Sequence, residues 1–166
     1  MSAASAEPPA IRPIEPGDDA AVAGLIRTVM GEFSCTAEGF ALHDPEVAAM
    51  SAAYPGGRAR FFVVVEGGAV CGCGGFAPLA GGDAQTAELR KMYFAPQLRG
   101  RGIGRTLLAM LLDAMRDAGF ERCYLETTSW MDRARALYEA AGFAPLAQPL
   151  GATGHGGCDR FYAIQL

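Results

Sequence analysis

The chain has 166 residues, 51% of them hydrophobic and 19% charged, the size and composition of one globular domain, which excludes a charge-dominated disordered chain. A net charge of −4 and a pI near 5.2 exclude a broad nucleic-acid or anionic-membrane surface. The cysteines, Cys35, Cys71, Cys73, Cys123 and Cys158, are odd in number and no secretory pattern precedes them, so a reduced, cytoplasmic setting without disulfides is expected.

Residues 1–9 are Ala, Ser and Pro with one Glu after the initial Met, and read as a mobile tail ahead of a single domain over 10–166. Ala10 to Ile14 reads as an edge strand, since Pro13 suits an edge and not a central ladder. Asp18 or Asp19 caps a predicted helix in which Val22, Leu25, Ile26, Val29, Met30 and Phe33 recur at helical spacing. A shorter helix is predicted from Asp44-Pro45 to about Ala53. Arg60 to Glu66 and Ala69 to Ala77 flank Gly67-Gly68 as a β-hairpin. Thr86 to Phe94 is a further strand, stopped by Pro96.

Ile103 to Ala118 is an amphipathic helix ended by Gly119, and Phe120 to Thr128 a strand. Ser129-x-x-Asp132 reads as a capping box opening a last helix that closes at Gly142. Gly151 to Gly157 is a flexible segment, and Cys158 to Leu166 the final strand. The order β-α-α-β-β-β-α-β-α-β makes an α/β (α+β) domain with helices on both faces of a mixed sheet.

Five of the 14 basic residues (Arg90, Lys91, Arg99, Arg101, Arg105) fall within sixteen positions, and no acidic residue lies between Glu88 and Asp113. Inside this stretch a strand, a glycine turn and a helix start succeed one another at Arg99-Gly100-Arg101-Gly102-Ile103-Gly104-Arg105. That order builds an anion site from backbone alone, because the first N–H groups of a helix lack intrahelical partners and the macrodipole is positive there. The glycines admit close approach by phosphate oxygens, and the arginines add charged donors. The spacing G-x-G-x-G fits neither the G-x-G-x-x-G dinucleotide turn nor a Walker loop.

The segment resembles the cofactor motif R/Q-x-x-G-x-G/A of the GCN5-related N-acetyltransferases (GNAT), with Arg99, Gly102 and Gly104 at the fixed positions. Leu89 to Pro96 is similar to the strand before that motif, and Ala134 to Phe143 to the closing helix, so the resemblance extends over nearly the whole chain. It implies a largely antiparallel sheet with a splayed strand pair that lodges acetyl-CoA. Backbone groups of Met92 and Phe94 would then meet the pantetheine arm, and those of Gly100 to Gly104 the pyrophosphate. Met131 stands where the family often has an Asn against that arm. Acetyl-CoA and an amine acceptor are the implied partners, with no metal; a homodimer is compatible with the sequence.

Acyl transfer to an amine needs a neutral amine, a polarised carbonyl and a proton for the departing thiolate. By the resemblance, Tyr138 is the general acid, and its ordinary phenol pKa predicts a fall in rate at high pH. Glu88 and Glu126 match the two glutamates that serve as base in different branches. Glu88 ranks slightly ahead because it shares strand parity with Met92. His155, in the glycine-rich segment, is expected to reach the acceptor pocket and orient a polar substrate. With Cys158 it falls short of a zinc set, and the cysteines read as small buried residues. Trp130 reads as a packing residue at a helix start. The resulting expectation is a direct acetyl transfer from acetyl-CoA to a primary amine; a catalytically idle acyl-CoA sensor on the same fold is the alternative.

Overall fold

The computed structural model describes residues 7–166, so most of the tail expected over 1–9 lies outside the described residues. Fifteen short and long elements follow, of which the strands are β1 (Ala10–Pro13), β2 (Arg60–Glu66), β3 (Ala69–Pro78), β4 (Thr86–Phe94), β5 (Arg122–Thr127), β6 (Ala144–Leu146) and β7 (Arg160–Gln165). They form one sheet in the order β1-β2-β3-β4-β5-β7-β6, antiparallel throughout except for the parallel pair β4–β5. β1 is the edge strand that Pro13 predicts. β6 is absent from the sequence reading, because three residues with a central Pro145 give no periodicity to detect.

The four α-helices are α1 (Asp19–Glu32), α2 (Met50–Ala53), α3 (Ile103–Asp117) and α4 (Asp132–Ala140). On one face of the sheet Leu107, Leu108, Leu111 and Met115 of α3 and Tyr138 of α4 pack on Phe76, Leu89 and Leu125. On the other, Val22, Ile26, Val29 and Met30 of α1 pack on Phe61, Val63 and Cys73. Helices therefore cover both faces, as the alternating pattern requires. Beside Gly75 of β3 the neighbouring strand comes so close that a Cβ would sit 2.4 Å from the Arg60 carbonyl oxygen.

Three local expectations are corrected. The helix predicted over 44–53 is broken: a 3₁₀ turn over Pro45–Ala48 is followed by the single turn α2, because Ala49 leaves the helical region at φ −150°. Asp18 does not cap α1 through its side chain; its carboxylate instead accepts from Arg12 at 2.7 and 2.9 Å and from the Glu15 amide at 2.8 Å. No capping box opens α4 either. Met131 is the N-cap, and the Ser129 amide donates to Asp159 Oδ1 at 2.7 Å.

Candidate active site

β4 pairs with β5 only from Thr86 to Glu88. Beyond Glu88, β4 keeps β3 on one side and loses β5, which continues along β7 to Thr127. The two parallel strands thus part. In β4, Arg90 stands opposite Gly75 and Tyr93 opposite Cys73, so Lys91 and Met92 share the single partner Gly74. This is a β-bulge, and Lys91 carries it at φ +51°. The extra residue inverts the parity of the strand. Leu89 and Met92 pack with α3, whereas Tyr93 packs with α1, on the face of Ala77, the partner of Glu88. Glu88 and Met92 therefore lie on opposite faces, and the ranking of Glu88 by shared parity fails.

Between the parted strands opens a cavity of about 850 Å³. Its lining includes Leu89 to Phe94, the turn at Arg99, Gly100 and Gly102, and the helix start at Ile103, Gly104 and Arg105. Gly102 is the N-cap of α3 at φ +79°, and the Thr106 amide makes the first intrahelical bond to its carbonyl at 3.1 Å. The amides of Ile103, Gly104 and Arg105 precede that bond and have no acceptor of their own within the helix. Gly104 is closely packed, a Cβ there lying 3.3 Å from Leu137.

The arginines behave differently from one another. Arg99 donates Nε to the Phe94 carbonyl at 2.9 Å and Nη1 to Glu32 at 2.7 Å, while its buried Nη2 has no partner among the described residues. A buried orphan donor on a cavity wall, beside free helix amides, fits an anionic or carbonyl-bearing ligand such as acetyl-CoA. Arg101 is turned outward onto Glu66 at 2.8 Å and does not line the cavity, so only its backbone remains at the turn.

At the far end of the same cavity lie Glu88, Glu126 and His155, with one ligand atom from each inside 4.8 Å of the others. Glu88 is buried and its Oε1 accepts from Arg90 Nε at 2.7 Å. Burial pushes the Glu126 carboxyl above its ordinary range, against a hydrogen bond from the Thr153 hydroxyl, with the charge of Glu88 adding to the rise. His155 Nε2 lies 2.9 Å from Asp44 Oδ2, and this bond raises the imidazole above its ordinary pKa. Arg90 holds Glu88 and Asp44 holds His155, so two of the three already have protein partners. Among the cysteines Cys35 and Cys158 line the cavity; burial raises both thiols, that of Cys158 to about 12, so neither is a ready nucleophile.

Tyr138 lines the cavity from α4, packed against Phe143 with ring centroids 5.8 Å apart. Burial raises its pKa well above the usual phenol value, so the alkaline limb expected from an ordinary phenol moves beyond the accessible range. Trp130 is 46% exposed, lines the rim, donates Nε1 to the Phe33 carbonyl at 2.7 Å and meets Phe40 edge-on. The reading of Trp130 as a packing residue missed this place at the mouth. Asp44, Arg90 and Lys91 were also missed as parts of the site; the local basic run was visible, but their carboxylate partners come from distant segments.

Residues 27–143 match the model of the acetyltransferase (GNAT) family. The chain belongs to the GNAT acetyltransferase family. It is 39% identical over 160 residues to the uncharacterized N-acetyltransferase YjgM of Escherichia coli K12, covering 96% of each chain. The GNAT fold also recurs in solved structures. An acetyltransferase of the family from Staphylococcus aureus Mu50 superposes with a TM-score of 0.84 at 18% identity, covering 95% of this chain and 99% of that one. The acetyltransferase yncA of Salmonella typhimurium, solved with its cofactor acetyl-CoA, does so with a TM-score of 0.75 at 24% identity, covering 96% and 94%. This GNAT protein is accordingly an acyltransferase.

Proposed function

We propose that this GNAT enzyme transfers an acetyl group from acetyl-CoA directly to the primary amine of a small molecule or peptide. The observation that carries the reading is the continuity of one cavity from the free amides of α3 to the Glu88, Glu126 and His155 cluster, past Tyr138. Amides and dipole at Gly100 to Gly104, with Arg105 and the spare donor of Arg99, suit a pyrophosphate. Backbone groups of Met92 and Phe94, left by β5, suit the amides of a pantetheine arm.

Bound there, acetyl-CoA would supply an activated thioester. The protein's own residues would do the rest. Glu88 and Glu126 draw a cationic amine into the far end, and the cluster they form with His155 takes up its proton. Tyr138 keeps its proton at neutral pH because burial disfavours the phenolate, and stands ready to deliver it to a departing thiolate. Phe40 and Trp130, with ring centroids 6.4 Å apart, give the acceptor end an aromatic mouth, which favours an amine carrying an apolar body over a wholly polar one. A thiol-release screen of acetyl-CoA against simple alkylamines, arylalkylamines, amino acids and polyamines tests the reading. Turnover with arylalkylamines is expected, and silence across the panel would sink it.

A further inference from the structure

His155 belongs to the segment between β6 and β7, yet 12% exposure of its side chain shows how fully that segment folds back over the cavity. Its ring is held from one side. Nε2 meets Asp44 Oδ2 at 2.9 Å, while Nδ1 lies 3.8 Å from Glu88 Oε2. Burial alone would raise the Asp44 carboxyl, but hydrogen bonds from His155 and Lys91 outweigh it and hold the group below its ordinary range, ionised. An ionised carboxylate can only accept. The hydrogen between the two residues therefore belongs to Nε2, and a neutral ring presents a bare lone pair at Nδ1, towards the cavity.

The charged and titratable groups facing this ring are Asp44 from the turn before α2, Glu88 and Lys91 from β4, Glu126 from β5 and Cys158 from the segment before β7. Lys91 is spent on Asp44 and Glu46, and Cys158 stays neutral. Of the three cluster members, Glu88 has one oxygen committed to Arg90 and Glu126 has one committed to Thr153. His155 alone has an uncommitted basic atom together with a partner that leads outward.

We infer that within this cluster His155 Nδ1 is the group that removes the proton from the incoming ammonium, and that Asp44 is its positioning residue and the proton's way out. The inference rests on the reading of amine acetylation above. The N–H bond of the ammonium breaks, its electron pair stays on the amine as the nucleophilic lone pair, and the proton bonds to Nδ1. The imidazolium then releases its Nε2 proton by way of Asp44, whose side chain is 25% exposed, to bulk water. That release leaves a neutral ring with its hydrogen on Nδ1, and exchange with water moves the hydrogen back to Nε2 before the next turnover. The Asp44 carboxylate raises the imidazole above its ordinary pKa, which makes Nδ1 a stronger base than in a free ring.

Nitrogen-15 NMR of the full chain gives the first test and requires no acceptor. The neutral His155 ring should carry its hydrogen on Nε2, and Asp44→Asn should lower the imidazole pKa. Lys91 keeps Glu46 in that variant, so the fold should persist. A neutral ring protonated at Nδ1, or an imidazole pKa indifferent to Asp44→Asn, overturns the assignment. The second test is the pH profile of kcat/KM with whichever amine turns over fastest in the thiol-release panel. His155→Gln should lose the acidic limb and about 10²–10⁴-fold in rate, whereas Asp44→Asn should keep the limb and move it to lower pH. Turnover with an unaltered profile in both variants sinks the assignment alone; failure of every amine to turn over sinks the reading of the activity and the assignment with it.

Discussion

Lys91 Nζ lies 2.6 Å from Asp44 Oδ2 and also bonds Glu46, with only 1% of the lysine side chain exposed. The same residue holds the bulge of β4 at positive φ. One side chain thus ties the distorted strand to the turn that supports His155. Replacing one partner of a buried ionic group leaves the others unpaired, at a loss of about 3–5 kcal/mol when burial is complete.

Lys91→Met should therefore destabilise the protein by about 3 kcal/mol, the low end of that range because both carboxylates keep some exposure. At about 2–4 °C per kcal/mol for a chain of this size, the melting temperature should fall by about 6–12 °C. A thermal melt followed by circular dichroism checks this, and an unchanged midpoint would mean that His155 and Tyr54 suffice to hold the two carboxylates.

Gly102→Asp should place a carboxylate at the N-terminus of α3, where an anion is meant to sit. A Cβ at Gly102 meets nothing within 4 Å, so the only local penalty is the left-handed backbone. Calorimetry should find acetyl-CoA affinity reduced at least about tenfold while the free variant stays folded. For the wild type, acetyl-CoA at a hundredfold excess over Kd should add about 2.7 kcal/mol of stability, and NADH none. A melting shift with NADH alone would favour a dinucleotide site.

Tyr138→Phe removes one hydroxyl and keeps the ring against Phe143 and Tyr162. Loss of a general acid should lower kcat by about 10²–10⁴-fold with little change in the KM for acetyl-CoA, provided chemistry limits turnover. Because burial raises the phenol pKa, the wild-type rate should not fall through ionisation of Tyr138 up to about pH 10. Pre-steady-state kinetics at several pH values would expose a wild-type-like variant, which would make Tyr138 a packing residue.

Folding stability should carry the mark of the Asp44–His155 pair. His155 has a folded pKa raised above 6.5, so its contribution is complete below that value and is lost as pH rises through the folded pKa. Asp44 has a folded pKa below 3.8, so its contribution is present above that value and is lost as pH falls through the folded pKa. Urea denaturation should show wild type exceeding His155→Gln by about 1–2 kcal/mol between these limits, with the gap narrowing above neutral pH. A gap that widens with pH would contradict the pairing.

Much of this was legible from the chain. The hairpin over β2 and β3, the bounds of β4, the amphipathic α3 and the glycine turn all follow from local periodicity and turn chemistry. What escaped depends on contacts across the sequence. Nothing in Leu89 to Phe94 signals that Lys91 adopts φ +51°, since no Gly or Asn marks the bulge, and with it the parity of Glu88 was misjudged. Asp44 and His155 are 111 positions apart, and only the folded sheet brings them together. Arg101 carries the same local signal as Arg99, but Glu66 at the end of β2 draws it out of the cavity.

The most direct measurement incubates the protein with carbon-13 acetyl-labelled acetyl-CoA and the amine panel, following released thiol and labelled product together. The account predicts that the label moves to the amine nitrogen as an amide, one thiol appearing for each amide formed, and that Gly102→Asp and Tyr138→Phe both slow the transfer. Thiol release with no labelled amide, or no release with any amine while acetyl-CoA still binds, would contradict it.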